Sequence, residues 1–297
     1  MAKPVRVAAI VVTFNRRDVL AVTLKAIMSQ ERPADLLFVV DNDSQDGTRE
    51  MVEAEFPQAI HVRMPDNLGF AAGLAEGMTR ALERGADFCW LLDDDSRPSP
   101  PALRRLLEAT GSVARLGILG TSGGMLRWGV PDRRPGRLRR APVRGSSRLY
   151  RCDFALVDGA LVARSAIEAA GVPRKDFFMM FEDIEYTSRV RRAGWQVLLL
   201  DEDLIQREYL GSGGPAAGGS APPWRGYYQA RNHLAVALDH GSIRELLGAV
   251  YRQMRIIGAT VLRDRSRPWH RARLRLLGLW HGFRGRMGKT LDPAEHP

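Results

Sequence analysis

Residues 5–14, VRVAAIVVTF, form a nearly unbroken apolar run rich in β-branched side chains, the pattern of a strand buried on both faces. The next stretch, RRDVLAVTLKAIMSQ, changes period: Val19, Leu20, Thr23, Leu24 and Ile27 recur at helical spacing. DLLFVVDN is a second buried strand, and SQDGTREMVEAEF a helix with Ser44 and Asp46 as caps. AIHVRMP, GFAAGLAEGMTRALERGA and DFCWLL add a strand, a helix stopped by Gly85, and a fourth strand. This alternation predicts an α/β fold with a parallel sheet covered on both faces. Ligands of such sheets bind beyond the carboxyl ends of the strands. The polar clusters Thr13–Asn15, Asp41–Asp43, Asp66–Asn67 and Asp93–Asp95 all fall at those ends, on one rim.

The pattern breaks at 127–151, where nine arginines and one acid are interspersed with Pro and Gly. It reads as a loop or irregular hairpin, either a solvated insertion or an anion-facing flap. A strand, a Gly turn and a helix follow over 152–173. DFFMMFEDIEYTSRVRRAGWQVLLLDEDLI then gives an aromatic approach, a helix starting near Glu182, a stop at Gly194 and another strand. GSGGPAAGGSAPP (211–223) has the composition of a flexible linker or loop. From 224 the chain is helical and basic. Leu246, Leu247, Val250, Met254 and Ile257 repeat at helical spacing, and a later stretch mixes Trp269, Leu276 and Trp280 with Arg271, Arg273 and Arg275. Such helices pack on the main body or a partner subunit, or lie on anionic lipid. The expected division is 1–223 as a catalytic domain, with halves 1–100 and 101–223, and 224–297 as a basic helical extension.

Composition narrows the class. The 297 residues are 45% hydrophobic and 26% charged, a globular balance with ample core. The net charge of +10 calls for an anionic partner without choosing among nucleic acid, membrane and phosphorylated substrate. Two cysteines, Cys89 and Cys152, give neither zinc spacing nor a disulfide framework. No signal-peptide pattern and no span of about 18 apolar residues is present. The expectation is a cytoplasmic protein, with peripheral contact at the inner face of the plasma membrane left open.

Two carboxylate clusters carry the candidate chemistry. WLLDDDSRP places Asp93, Asp94 and Asp95 at the end of a buried strand. Alone, the triplet reads more readily as a solvated turn before a helix. On a polar rim it suits a hard divalent cation bridging a diphosphate, with Asp93 and Asp95 facing one side and Asp94 another. FEDIE places Glu182, Asp183 and Glu185 at a helix start, where acids favour the helix dipole and one could act as a general base.

The segments VVTFNRRDVLAVTLKAIMSQ, VVDNDSQDGT, DNLGFAAGLAEGM and WLLDDDSRP, in that order, resemble the motifs of family 2 glycosyltransferases, which have the Rossmann-like GT-A fold. The resemblance resumes at 158–195 and at YYQARNHL. NLG, the all-Asp triplet and YYxxRN look most like bacterial rhamnosyl- and galactofuranosyltransferases of cell-envelope glycan assembly. It implies an inverting, metal-dependent hexosyltransferase. The donor would be a UDP- or dTDP-sugar and the acceptor a lipid-linked or polysaccharide hydroxyl. Thr13, Phe14, Asn15 and Asp41 would hold the nucleoside, with Asn67, Gly69 and Asp94 near base, diphosphate or sugar. Asp93 and Asp95 would bind Mg²⁺ or Mn²⁺, and Asp183 would be the base, with Glu182 and Glu185 as alternatives. The family often completes the metal shell with a histidine; here that position falls on Gln206, a weaker ligand.

Two other readings fit less well. A sugar nucleotidyltransferase would want a glycine-rich loop for the triphosphate, which VVTFNRRD does not supply. A nucleic-acid-binding protein would explain the arginines but not the acidic rim, which repels phosphate without a metal. The expected partners therefore exclude nucleic acid.

Overall fold

In the computed structural model, which describes residues 4–111, 113–138, 142–146, 148–207, 222–264 and 267–295, the first apolar run becomes β1 (Val7–Thr13), buried at all seven residues. Its side chains divide by parity, as a pleated strand requires. Ala8, Ile10 and Val12 enter one apolar cluster; Val7, Ala9 and Val11 enter another. A strand with two apolar faces needs cover on both sides, and the flanking helices supply it. α1 (Arg17–Met28) and α2 (Thr48–Glu55) add Leu20, Leu24, Ile27, Met51 and Val52 to the second cluster. α3 (Phe70–Glu83) adds Leu74, Met78 and Ala81 to the first.

β2 (Leu36–Asp41) and β4 (Phe88–Asp93) flank β1 in parallel, and β3 (Ile60–Arg63) pairs in parallel with β2. The register sets Thr13 beside Asp41 and Val12 beside Asp93, so these strand ends share one rim. After β4 come β5 (Ser96–Pro98), α4 (Ala102–Thr110), β6 (Leu116–Gly120), β7 (Gly123–Arg127), β8 (Val130–Asp132), α5 (Pro135–Leu138) and β9 (Leu149–Arg151). β10 (Phe154–Ala155), β11 (Ala160–Ala163), α6 (Arg164–Ala170), α7 (Glu182–Arg192), β12 (Gln196–Leu200) and β13 (Ile205–Arg207) complete this part. The main sheet runs β3-β2-β1-β4-β11-β6-β12-β9, with only β11 and β9 antiparallel to their neighbours. The mostly parallel α/β sheet with helices on both faces is therefore the fold that forms.

The arginine-rich segment contains more order than its composition predicts. β7 and β8 form a hairpin turned at Trp128 and Gly129, both at positive φ, and β9 closes the sheet edge against β12. Residues 211–221 of the expected linker lie outside the described residues. Beyond them, α8 (Pro223–Asp239), α9 (Ile243–Arg263) and α10 (Pro268–Phe283) follow. α8 is largely interior: its Ala235 and Val236 join Phe177, Phe181 and Ile184 in one cluster, and its Tyr227 and Tyr228 join Phe178 in another. Among the described residues, no helix is long and apolar enough to cross a membrane. Cys89 and Cys152 are buried free thiols.

Small residues let α3 press against the sheet. A Cβ at Gly77 would lie 2.5 Å from Ile10 Cγ2 and 3.1 Å from Val40 Cγ2. Gly77→Ala should therefore lower the urea midpoint, because overpacking of about 1–3 kcal/mol outweighs a helix-propensity gain of about 1 kcal/mol. Gly258→Ala in α9 meets nothing within 4 Å and should raise stability by about 0.5–1 kcal/mol. A Gly77→Ala protein as stable as the parent would contradict this packing.

Candidate active site

At the rim lies a cavity of about 490 Å³. Thr13, Phe14, Asn67, Gly69, Asp93, Asp94, Asp95, Glu182 and Asp183 all line it, so most of the expected residues are brought together from segments far apart in sequence. Asn15, Asp41, Glu185 and Gln206 are not on its wall.

The three aspartates sit in different surroundings. The Asp93 backbone N–H donates to Ser96 Oγ (3.0 Å) and Asp158 Oδ1 (3.3 Å), and Ser96 Oγ also donates to Asp158. Asp94 is buried; it accepts from Thr13 Oγ1 at 3.0 Å and pairs with Arg16. The other arm of Arg16 reaches Asp95 Oδ2 at 3.1 Å. Burial pushes the Asp94 carboxyl from 3.8 up to about 6, with Arg16 opposing and the Asp95 charge reinforcing the rise.

Among the described residues, no group of three or more His, Cys, Asp or Glu side chains is placed to hold a metal. Two carboxylates at alternate positions still fit a hard cation of the Mg²⁺ or Mn²⁺ type, which takes remaining oxygens from phosphate and water. Asp93 and Asp95 are the residues that would hold it. Gln206 sits on β13, opposite Arg97 of β5, and lines a neighbouring cavity of about 590 Å³ that shares Asp158 with the first. His233 is buried on α8, stacked on Phe181 at 4.6 Å and bonded to the Gly129 carbonyl at 3.0 Å.

Behind the wall, Asp41 is fully buried. Burial alone would raise its pKa, but hydrogen bonds from His61 and Ser44 outweigh that and hold it below the ordinary value. Asn15, at φ 50°, ties two strand-end loops together: its N–H donates to Ser44 Oγ and its Oδ1 accepts from the Gln45 N–H. Asn67 Oδ1 accepts from the Gly69 N–H at 3.1 Å.

The acids of FEDIE are placed by an unusual loop. Phe178, Met180 and Phe181 all have positive φ, between 61° and 70°. Buried groups of α8 hold this turn. Asn232 Nδ2 lies 2.7–2.9 Å from the carbonyls of Phe177, Met179 and Met180, and Arg231 donates to Phe177 and Gly288 carbonyls. On its other side a Cβ at Gly69 would fall 2.3 Å from the Phe178 carbonyl oxygen, at φ +89°. α7 therefore begins at a fixed point on the rim. Asp183 accepts from the Ile184 N–H at 2.7 Å. Among the described residues Glu182 Oε2 is buried without a hydrogen-bond partner, and burial together with the Asp183 charge holds that carboxyl well above the ordinary range. Glu185 faces away and is bound by Arg189 Nε and Nη2 at 2.7 and 3.0 Å.

Sequence reasoning missed Arg16, Asp158 and the positioning pair Arg231–Asn232. Arg16 follows the Thr13–Asn15 strand end directly, and Asp158 precedes Gly159, which turns at φ 80°. Both signals were local and readable; the contacts they make, over separations of 62–79 residues, were not.

Two outcomes follow from this geometry. Because Asp94 binds its proton more tightly folded than unfolded, its contribution to stability falls as pH rises from about 4 through about 6. In metal-free buffer the stability of Asp94→Asn relative to the parent should therefore increase across that window; a flat difference would contradict the burial of this charge. Asn232→Leu strips donors from buried carbonyls and should cost about 2–4 kcal/mol, read from urea unfolding.

Comparison with known proteins agrees with the geometry. Residues 8–136 match the family model for glycosyl transferase family 2. The chain is 35% identical over 199 residues to "Galactofuranosyltransferase GlfT1" of Mycolicibacterium smegmatis, the match covering 63% of this chain and 66%, just under two thirds, of that relative. By structure it is similar to the mannosyltransferase PcManGT from Pyrobaculum calidifontis in complex with GDP-Man and Mn²⁺, at TM-score 0.60 and 16% identity over 95% of this chain and 88% of that one. It is also similar to S. aureus TarS 1-349 in complex with UDP-GlcNAc, at TM-score 0.60 and 15% identity over 93% and 81%. At those identities the structural likeness speaks for the fold alone, and the family match speaks for the segment it covers: the chain has the GT-A fold and carries a glycosyl transferase family 2 domain over residues 8–136.

Proposed function

We propose that this chain transfers a hexose, with inversion, from a nucleotide-diphosphate donor to a hydroxyl of a lipid-linked or polysaccharide acceptor. The observation that carries the reading is that Asp183 lines the same cavity as the Asp93–Asp95 triplet. Galactofuranose is favoured over rhamnose because the relative at 35% identity is named a galactofuranosyltransferase.

In this reading the nucleoside lies over the ends of β1 and β2, against Thr13 and Phe14, with Asn67 and Gly69 beside it. Asp41 and Asn15 hold the loops behind it. Asp94, tied to Thr13 and Arg16, fixes the middle of the triplet so that its neighbours present oxygens to the cavity. A Mg²⁺ or Mn²⁺ held by Asp93 and Asp95 would neutralise charge on the diphosphate. The acceptor oxygen attacks the anomeric carbon from the face opposite the diphosphate. Asp183 takes the hydroxyl proton, the anomeric C–O bond breaks, and its electron pair leaves on the diphosphate. Burial and the Asp183 charge disfavour ionisation of Glu182, which argues for Asp183 as the base, and Glu185 is occupied by Arg189.

The test is transfer from a panel of UDP-, dTDP- and GDP-sugars, with and without divalent metal. Asp183→Asn is expected to lower kcat by about 10²–10⁴-fold while UDP affinity, measured by calorimetry, stays within about twofold. Normal transfer by that variant would refute the base assignment. Full activity in EDTA would refute the metal role of Asp93 and Asp95.

A further inference from the structure

The transfer reading leaves unused the surface of α9 and α10. Helices of a packed bundle normally hide their apolar stripes. Here α9 buries Gln253 and Ile257 but leaves Leu247, Tyr251, Met254 and Leu262 outside, Leu262 at 85% exposure and Tyr251 at 69%. Leu247, Tyr251 and Met254 recur at intervals of four and three, on one side of the helix. α10 buries Ala272 and Leu274, yet Trp269 is 74% exposed, Phe283 66% and Trp280 54%. Trp269, Leu276, Trp280 and Phe283 recur at steps of seven, four and three, again one stripe. Large exposed apolar patches mark interaction surfaces.

The charge around them selects the partner. Residues 243–284 hold ten arginines against two acids, Glu245 and Asp264, and six of those arginines, Arg244, Arg255, Arg263, Arg267, Arg273 and Arg284, are exposed. Both acids are already engaged, Glu245 with His240 and Asp264 with Arg271 at 2.9 Å. Arg284 lies over the Trp280 ring at 5.0 Å, and the exposed Arg273 is one turn from Trp269 and two from Trp280. The β7–β8 hairpin adds to this side of the molecule. Trp128, 57% exposed, rests on α9 where a Cβ at Gly248 would meet its carbonyl oxygen at 2.0 Å, and Arg244 covers its ring at 5.8 Å. Arginines interleaved with exposed Trp, Tyr and Phe are the chemistry of the bilayer interface, where the rings sit at headgroup depth and the guanidiniums meet anionic lipid phosphates. A nucleic acid would use the arginines but would leave the Leu, Met and Phe side chains in water.

We propose that the exposed faces of α9 and α10 dock this protein on an anionic membrane surface, without any segment crossing it. The same bundle walls the cavity: Trp224 and Arg225 at the start of α8, and Pro293 after α10, line it. Docking would thus hold the cavity in fixed relation to the bilayer. The proposal concerns where the protein works and does not depend on which sugar, if any, it transfers.

The experiment is co-sedimentation of the full chain with vesicles of phosphatidylcholine alone or with about 30 mol % phosphatidylglycerol. Binding is expected to the anionic vesicles only, and to weaken with added salt. Trp269→Ser/Trp280→Ser should reduce the partition coefficient by at least about tenfold, as should the independent Leu247→Ser/Tyr251→Ser pair on α9. Thermal unfolding and UDP binding, measured in parallel, are expected to be unchanged; a variant that fails them is replaced in the comparison by the other pair. Absence of binding to anionic vesicles, or partition unchanged in both variants, overturns the proposal. So does a dimer in sedimentation velocity that both variants dissolve while vesicle binding is absent, which would assign the faces to a second copy. RNA binding that both variants retain, in a protein that ignores vesicles, would likewise overturn it.

Discussion

The arrangement of this site depends on a buried amide. Asn232 reaches three consecutive-turn carbonyls in the segment 177–180, and its own carbonyl accepts from Arg231 Nε at 2.8 Å. The segment needs that support. Phe178 and Met180 within it, and Phe181 directly after it, sit at positive φ, a conformation that costs on the order of 1–3 kcal/mol each unless the surroundings fix it. Arg231 is wholly buried with carbonyls and a hydroxyl for partners, and it stacks over Tyr228 at 4.7 Å. This clamp joins the C-terminal bundle to the rim. Through it, α8 decides where α7 starts and hence where Glu182 and Asp183 stand. Gly69 is the other jaw, since any side chain there would collide with the Phe178 carbonyl.

The triplet shows the same economy of position. Three adjacent carboxylates would repel if they shared one environment. β4 ends at Asp93 and the chain turns at Asp94 and Asp95, so the pleat does not run through the triplet; instead each acid finds a different neighbour: Ser96 and Asp158 around Asp93, Thr13 and Arg16 at Asp94, the second arm of Arg16 at Asp95. Arg16 thus offsets charge that burial would otherwise force to protonate. Asp158 sits at the junction of two cavities, held by Ser96 and the Asp93 backbone.

How far the sequence could be read follows from these contacts. The alternation of β-branched runs with helical periods made the sheet legible, because each half-buried or buried element carries its own period. The rim was legible because strand ends in a parallel sheet must share an edge. β9 was not: only Leu149 of its three residues is buried, and its arginine-rich surroundings mask so short a strand. The fate of α9 was also illegible. Leu247, Val250 and Met254 have the spacing of a packed face, and periodicity alone cannot say whether that face meets protein, lipid or water. The roles of Arg16 and Asp158 were hidden because their partners lie 62 to 79 residues away. YYxxRN was visible as a motif, but only the fold shows that its Arg231 and Asn232 act on loop carbonyls.

Charge is partitioned across the molecule, and this has a thermodynamic consequence. The arginines gather on the C-terminal helices, while the cavity wall carries Asp93, Asp94, Asp95, Asp158, Glu182 and Asp183 against Arg16 and Arg225. A diphosphate entering such a wall meets repulsion that a basic overall charge does not relieve, because exposed charges farther than about 10 Å away are largely screened in ordinary salt. Local cation binding relieves it directly. If a divalent ion and a nucleotide diphosphate share the Asp93–Asp95 edge, each must strengthen the binding of the other by the same factor, since the coupling is a property of the ternary state. The net charge of +10 is then a poor guide to the site itself. It belongs to a different surface from the acidic edge where the chemistry is proposed to occur.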